Sequence, residues 1–123
     1  MSILEQKTFI SSIHPFENLS INQLDDFIDN IDIVYFKEKE VVQAQGSTPS
    51  HLFFVLKGLI QEKQDDEVLS IYSKNEIFDS ISLIENYSKN SFITAEETIC
   101  YVLPRKIFIQ TLHENPILEN YFF

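Results

Sequence analysis

The sequence is poor in three things that carry function in many proteins. It has a single cysteine, Cys100, so it can build neither a disulfide framework nor a cysteine-based metal site. It has nine basic residues against nineteen acidic ones, a formal net charge of −10. That balance opposes binding to DNA or RNA, whose affinity comes largely from Lys and Arg on phosphates, and opposes an anionic membrane surface. A small phosphate ligand is not excluded, because one local cation suffices for it. The longest apolar runs, such as 52-LFFVL-56, are far too short to cross a bilayer. The opening MSILEQKTFISS lacks the basic start and long apolar stretch of a signal peptide. A cytoplasmic location without nucleic-acid or membrane partners is therefore expected.

Catalytic and metal signatures are also missing. His14, His51 and His113 are scattered, with no His-Glu-x-x-His spacing. There is no Gly-x-Ser-x-Gly elbow. Asp65-Asp66-Glu67 lacks the loop length and glycine of a calcium loop and suits a solvated hairpin turn. The residues support neither an enzyme, a metal site nor a bound cofactor. Glycine is scarce as well: two residues, Gly46 and Gly58, against a usual share of about 7%. Each is expected where no other residue fits.

What is present is a globular chain of 123 residues with 44% hydrophobic content, enough for one domain with its own core. Apolar residues in 3-ILEQKTFISSI-13 follow a helical spacing, and Pro15 closes that segment. In 20-SINQLDDFIDNI-31, Ser20 and Gln23 form a capping box, and Leu24, Phe27, Ile28 and Ile31 make one apolar stripe. From Asp32 the pattern becomes short, β-branched and aromatic. Residues 32–37, 41–44, 51–57, 59–63, 68–73, 91–95 and 98–103 read as strands separated by turn residues, which argues a sandwich or barrel. Helical periodicity returns after Leu103, with Pro104 at a first helical position and a second helix over 116–123. The domain is thus one unit: helices over 3–31, a β-roll over 32–103 and helices over 104–123. The apolar ending Leu118, Tyr121, Phe122 and Phe123 suggests a piece of a longer protein. Those side chains either fold back on the roll or form an interface to a downstream domain or a second copy.

Taken together these residues resemble the cyclic-nucleotide-binding domain family over roughly residues 14–123. The segment 45-QGSTPSHLFFVLKGLIQE-62 has the family's two glycines twelve positions apart, 74-KNEIFDSISLI-84 is similar to its Gly-Asp-x-Phe-Gly-Glu-x-x-Leu stretch, and 98-TICYVLPRKIFIQTLHENP-116 is similar to its last strand and following helix. The resemblance implies a jelly-roll-like double-stranded β-helix with flanking helices, and Asn75 suits the tight turn where the family often has glycine. The closing segments 95-AEETICYVLPRKIF-108 and 116-PILENYFF-123 are similar to bacterial signalling proteins in which such a domain precedes paired CBS modules and a nucleotidyltransferase-like domain.

In the family, residues equivalent to 78–91 cradle a cyclic phosphate on a short helix. The resemblance therefore makes Phe78, Asp79, Ser80, Ile81, Ser82, Leu83, Lys89, Asn90 and Ser91 the ligand segment. The spacing is kept and the chemistry mostly is not. Asp79 stands in place of glycine, Ser80 in place of the ribose-binding glutamate, and Lys89 in place of the phosphate-binding arginine. Lysine keeps the charge and loses the bidentate fork. Each lost charge-assisted hydrogen bond is worth about 1.5–3 kcal/mol, or about one to two decades in affinity. If Asp79 faces the cradle, like-charge repulsion near 4 Å is about 4 kcal/mol at an effective dielectric near 20. If instead its side chain caps the helix amides, it occupies the anion site itself. Three outcomes stand: a working cradle for a cyclic nucleotide or related phosphate, a degenerate cradle kept for packing, or a site for another small polar ligand held by Ser80, Ser82, Asn90 and Ser91. The expected function is a regulatory sensor module of a bacterial signal-transduction protein with weak or no cyclic AMP binding. The alternative is a ligand-free interaction module that dimerises through its C-terminal helix.

Overall fold

The computed structural model describes residues 2–123. Two helices lead. α1 (Ile3–Ser11) is capped by Ser2, whose hydroxyl accepts from the Glu5 amide at 3.1 Å. α2 (Ile21–Asn30) carries the expected capping box: the Gln23 amide donates to Ser20 Oγ and the Ser20 amide to Gln23 Oε1. Its stripe enters the core at Phe27, with Leu24, Ile28 and Ile31 packed beside it. Between the helices a 3-10 turn at Phe16–Asn18 inserts the buried Phe16. The helical spacing does not announce this turn, because it is a single ring inserted after a proline.

Among the described residues eight strands follow: β1 (Asp32–Phe36), β2 (Val41–Gln43), β3 (His51–Lys57), β4 (Ile60–Gln64), β5 (Glu67–Tyr72), β6 (Ile77–Phe78), β7 (Ser91–Thr94) and β8 (Thr98–Pro104). They form two antiparallel sheets in the orders β1-β8-β3-β6 and β2-β7-β4-β5. Only β6 lies outside the strands read from sequence. Its two residues are too few to show alternation, and it exists because Ile77 and Phe78 pair with Phe54 and Phe53.

The continuous apolar run of β3 is explained by burial on both faces. Leu52 and Phe54, with Tyr101 and Leu103 of β8, face the helices; Phe53 and Val55, with Cys100 and Val102, face the opposite sheet. Between the sheets Phe78 stacks on Phe53 and on Phe92, each at 4.9 Å between centroids. Cys100 is fully buried in this layer, and burial pushes its thiol up to about 12, which leaves it an inert packing residue.

The turns sit where the sequence places them. Asp65 (φ 54°) heads the β4–β5 hairpin and Asn75 (φ 72°) the turn into β6. Gly58, at φ +106°, lies so close to β8 that a Cβ would stand 2.4 Å from Thr98 Oγ1 and 2.6 Å from the Glu97 carbonyl.

After β6 comes a short helix, α3 (Ser80–Glu85). α4 (Arg105–Glu114) and α5 (Pro116–Phe122) close the domain. Pro104 is not the first helical residue: it ends β8, paired with His51, and the helix starts at Arg105. The Asn115 side chain accepts from the Leu118 amide and donates to the Asn18 carbonyl and Gln23 Oε1, tying the last helix to the first ones. The terminal residues divide. Leu118 is fully buried, and Phe122 packs on Phe16 and Phe108. Leu118 is thus a core residue and not an interface residue, because the Asn115 link draws α5 onto the helical core. Tyr121 and Phe123 remain 54% and 66% exposed.

Candidate functional site

The site is built where β6 hands over to α3. The chain turns at Asp79, whose backbone is left-handed (φ 62°, ψ 36°). Aspartate is one of the few side chains that tolerate this conformation. Asp79 is half-buried and looks into the cradle. Its carboxylate accepts from the Gln43 side-chain amide and from the Ser82 hydroxyl. It makes no side-chain cap bond of normal geometry, while the Ser82 amide still lies near enough to favour the ionised carboxylate. Burial raises its pKa; the hydrogen bonds from Ser82 and Gln43 oppose that rise, and the nearby Glu62 adds to it.

Gln43 is buried at the end of β2 and holds the site from behind. The same nitrogen donates to Ser88 Oγ at 2.8 Å, and the fully buried Ser88 hydroxyl donates to the Asn90 carbonyl at 2.8 Å. Backbone bonds from Gly46 to Ser88 and from Ser88 to Ser47 join this segment to the β2–β3 loop, and Gly46 supplies the positive φ that loop needs. On the facing strand, Glu62 accepts from Tyr72 Oη at 2.8 Å and from Asn90 Nδ2 at 2.7 Å. Burial, and then the bond to Glu62, pushes the Tyr72 phenol up to about 12, so it stays a donor.

These groups border two clefts. One, about 200 Å³, has Lys89, Asn90, Ser82 and Glu85 on its walls; the other, about 230 Å³, has Tyr72, Ile77 and Ser80. Glu62, Asp79 and Ile81 line both. Each is smaller than the roughly 300–1,000 Å³ of ordinary small-molecule sites. Lys89 is exposed, with no carboxylate within ion-pair distance among the described residues. It faces three carboxylates, so the cradle is anionic.

Of the residues read from sequence, Asp79, Ile81, Ser82, Lys89 and Asn90 come together at one cleft, and Ser80 joins Asp79 and Ile81 at the other. Phe78 and Leu83 do not line either cleft. They are buried in the inter-sheet and helical cores, because both sit on the inner side of the turn. Ser91 is turned away, accepting from the Gln45 amide at 3.1 Å. Gln43, Glu62, Tyr72 and Ser88 were not read as site residues. Only Gln43 had a signal, a polar residue within the apolar strand 41-VVQA-44. His14 lies apart, paired with Glu17, while His51, which opens β3, and His113, on the exposed side of α4, line one groove away from the cradle.

Residues 33–115 match the family described as "Cyclic nucleotide-binding domain". The chain is 26% identical over 125 residues to cGMP-dependent protein kinase 2 of Mus musculus, covering 95% of this chain and 16% of that protein. Among solved structures, the sensor domain of the transcriptional regulator DNR from Pseudomonas aeruginosa superposes with a TM-score of 0.81 at 17% identity, over 89% of this chain and 81% of that one. The regulatory subunit of a cAMP-independent protein kinase A from Trypanosoma brucei superposes with a TM-score of 0.78 at 14% identity, over 91% and 43%. The two-sheet roll, its flanking helices and the match over most of its length place this chain in the cyclic nucleotide-binding domain family.

Proposed function

We propose that this chain is the sensor module of a larger bacterial signal-transduction protein whose cradle has replaced an external phosphate by its own carboxylate, and so binds cyclic AMP weakly or not at all. One observation carries this reading: Asp79 turns into the cradle and takes the hydrogen bonds of Gln43 and Ser82. An incoming phosphate would meet Asp79, Glu62 and Glu85 against one lysine. It would also lack the arginine fork and the ribose-binding carboxylate that the family uses. The Trypanosoma brucei subunit of the same fold belongs to a cAMP-independent kinase, so the fold does not by itself require cyclic AMP. The closing segments 95–108 and 116–123 support placing the module ahead of paired CBS modules and a nucleotidyltransferase-like domain, in the cytoplasm.

Calorimetric titration of the purified chain with cyclic AMP and cyclic GMP tests this. Heats are expected to stay flat to about 1 mM, the affinity left when some 4 kcal/mol of binding is all that remains. Micromolar binding that Lys89→Ala abolishes would overturn it.

A second reading has its own observation. Tyr121 and Phe123 stand exposed at the end of α5, and an apolar patch of this kind suits a joint to a neighbouring domain or a second copy. In that reading the module acts by docking, with no small ligand.

A further inference from the structure

A broad concavity lies outside the cradle, between α4 and the loop joining β2 to β3. It measures about 830 Å³, within the roughly 300–1,000 Å³ of small-molecule sites, while each cradle cleft falls below that range. Its composition inverts that of the rest of the chain. Arg105, Lys106 and His51 line it, with the Ser50 hydroxyl 2.7 Å from His51 Nδ1. Pro49, Pro104 and Ile109 give it apolar walls. Among the described residues its single lining carboxylate, Glu114, already accepts from Gln110 Nε2 at 3.3 Å.

Arg105 is held in place. Its Nε donates to the Leu83 carbonyl at 2.7 Å and its backbone amide to the Ser50 carbonyl at 2.9 Å. Among the described residues neither Arg105 nor Lys106 is in an ion pair. A guanidinium fixed through Nε still offers its terminal amino groups as a planar donor pair, and little side-chain freedom remains to be lost on binding. The acidic residues elsewhere do not cancel this local charge, since fields between exposed charges fade over about 8–10 Å at physiological ionic strength.

We propose that this groove is a second ligand site, for a small molecule carrying an anionic group on an apolar body. The anion sits between Arg105 and Lys106 beside Ser50, and the body lies along Pro49, Pro104 and Ile109. Because Arg105 also holds the Leu83 carbonyl of α3, and Asn86 at the end of α3 lines the groove, occupancy acts on the contact between the cradle helix and α4.

The test is a titration followed in two-dimensional amide NMR spectra of the chain, with phenyl phosphate, benzoate and the neutral benzyl alcohol as probes. Saturable shifts are expected at the amides of Ser50, His51, Asn86, Lys106 and Ile109 with one or both anions and not with the alcohol; comparing phosphate with carboxylate tells which anion is preferred. Lys106 is exposed, so Lys106→Glu should leave the remaining spectrum in place and weaken binding about tenfold or more. Shifts that stay linear to about 10 mM, that centre elsewhere, that benzyl alcohol reproduces, or that ignore Lys106→Glu would overturn the site. Cyclic AMP added separately reports at the amides of Asp79 and Ser82, so the fate of the cradle is read independently.

Discussion

The side-chain amide of Gln43 donates to the carboxylate of Asp79 across 36 positions of sequence, and the same nitrogen donates to Ser88. One buried glutamine therefore fixes both ends of the 79–88 segment. Every donor it has is used inside the chain. An external anion would have to take over a hydrogen bond that Asp79 already holds, against the charge of Asp79 itself.

It follows that the missing binding is a matter of side chains on a retained frame. Asp79→Gly suits the left-handed backbone at this position without a Cβ penalty and removes the repelling charge. Combined with Ser80→Glu and Lys89→Arg, it returns the groups that the family resemblance associates with ribose and phosphate. The triple variant is expected to bind cyclic AMP or cyclic GMP at least about a hundredfold more tightly than the parent chain, one to two charge-assisted contacts being worth that much. Calorimetry decides it. An unchanged affinity would mean that the frame itself, not its side chains, excludes the ligand.

Stability should also depend on Asp79 through pH. Burial is the main cause of its raised pKa, so the folded chain holds that proton more tightly than the unfolded chain does. Between the unfolded value of about 4 and the higher folded value, the native state binds more protons, and its stability falls as pH rises. Above the folded value the penalty is complete. Asp79→Asn cannot ionise and can still accept from Gln43 through Oδ1 and donate to Ser82 through Nδ2. Its melting temperature should exceed that of the parent at neutral pH, and the difference should close as pH falls below about 4. A constant difference across that range would refute the linkage.

The frame was legible because its signals are backbone signals. The apolar runs of β3 and β8, the capping box at Ser20 and Gln23, and turn residues such as Asn75 each favour a local conformation whatever the ligand. β6 was not legible because it owes its pairing to Phe53 and Phe54, far away in sequence. The site was half legible for the same reason. Substitutions at 79, 80 and 89 are visible by comparison with a family pattern. The direction in which Asp79 points depends on Gln43, and the placement of Asn90 on Glu62 across the roll. Leu118 shows the limit of reading terminal apolar residues as interface: the Asn115 side chain, bonded to Asn18 and Gln23, folds them inward.

The two glycines should differ sharply in tolerance. Both have positive φ, but nothing lies within 4 Å of a Cβ at Gly46, whereas one at Gly58 would strike Thr98 and the Glu97 carbonyl. Gly46→Ala is expected to cost about 1–2 kcal/mol, the left-handed penalty alone. Gly58→Ala adds overpacking against backbone and should cost about 3 kcal/mol or more. Urea unfolding midpoints of the two variants check the order; equal losses would mean that β8 yields at Thr98.

The last helix offers a separation of stability from association. Leu118 is fully buried among the helical core residues, while Tyr121 and Phe123 are more than half exposed. Leu118→Ala should therefore destabilise the domain by about 2–5 kcal/mol, as large-to-small core changes do. The double change Tyr121→Asp with Phe123→Asp should alter stability by no more than about 1 kcal/mol, twice the usual limit for a surface substitution. If the α5 patch docks a second copy, that double variant will sediment as a monomer under conditions where the parent chain does not. If parent and variant sediment alike as monomers, the patch does not pair with itself, and a neighbouring domain becomes the partner to test against it.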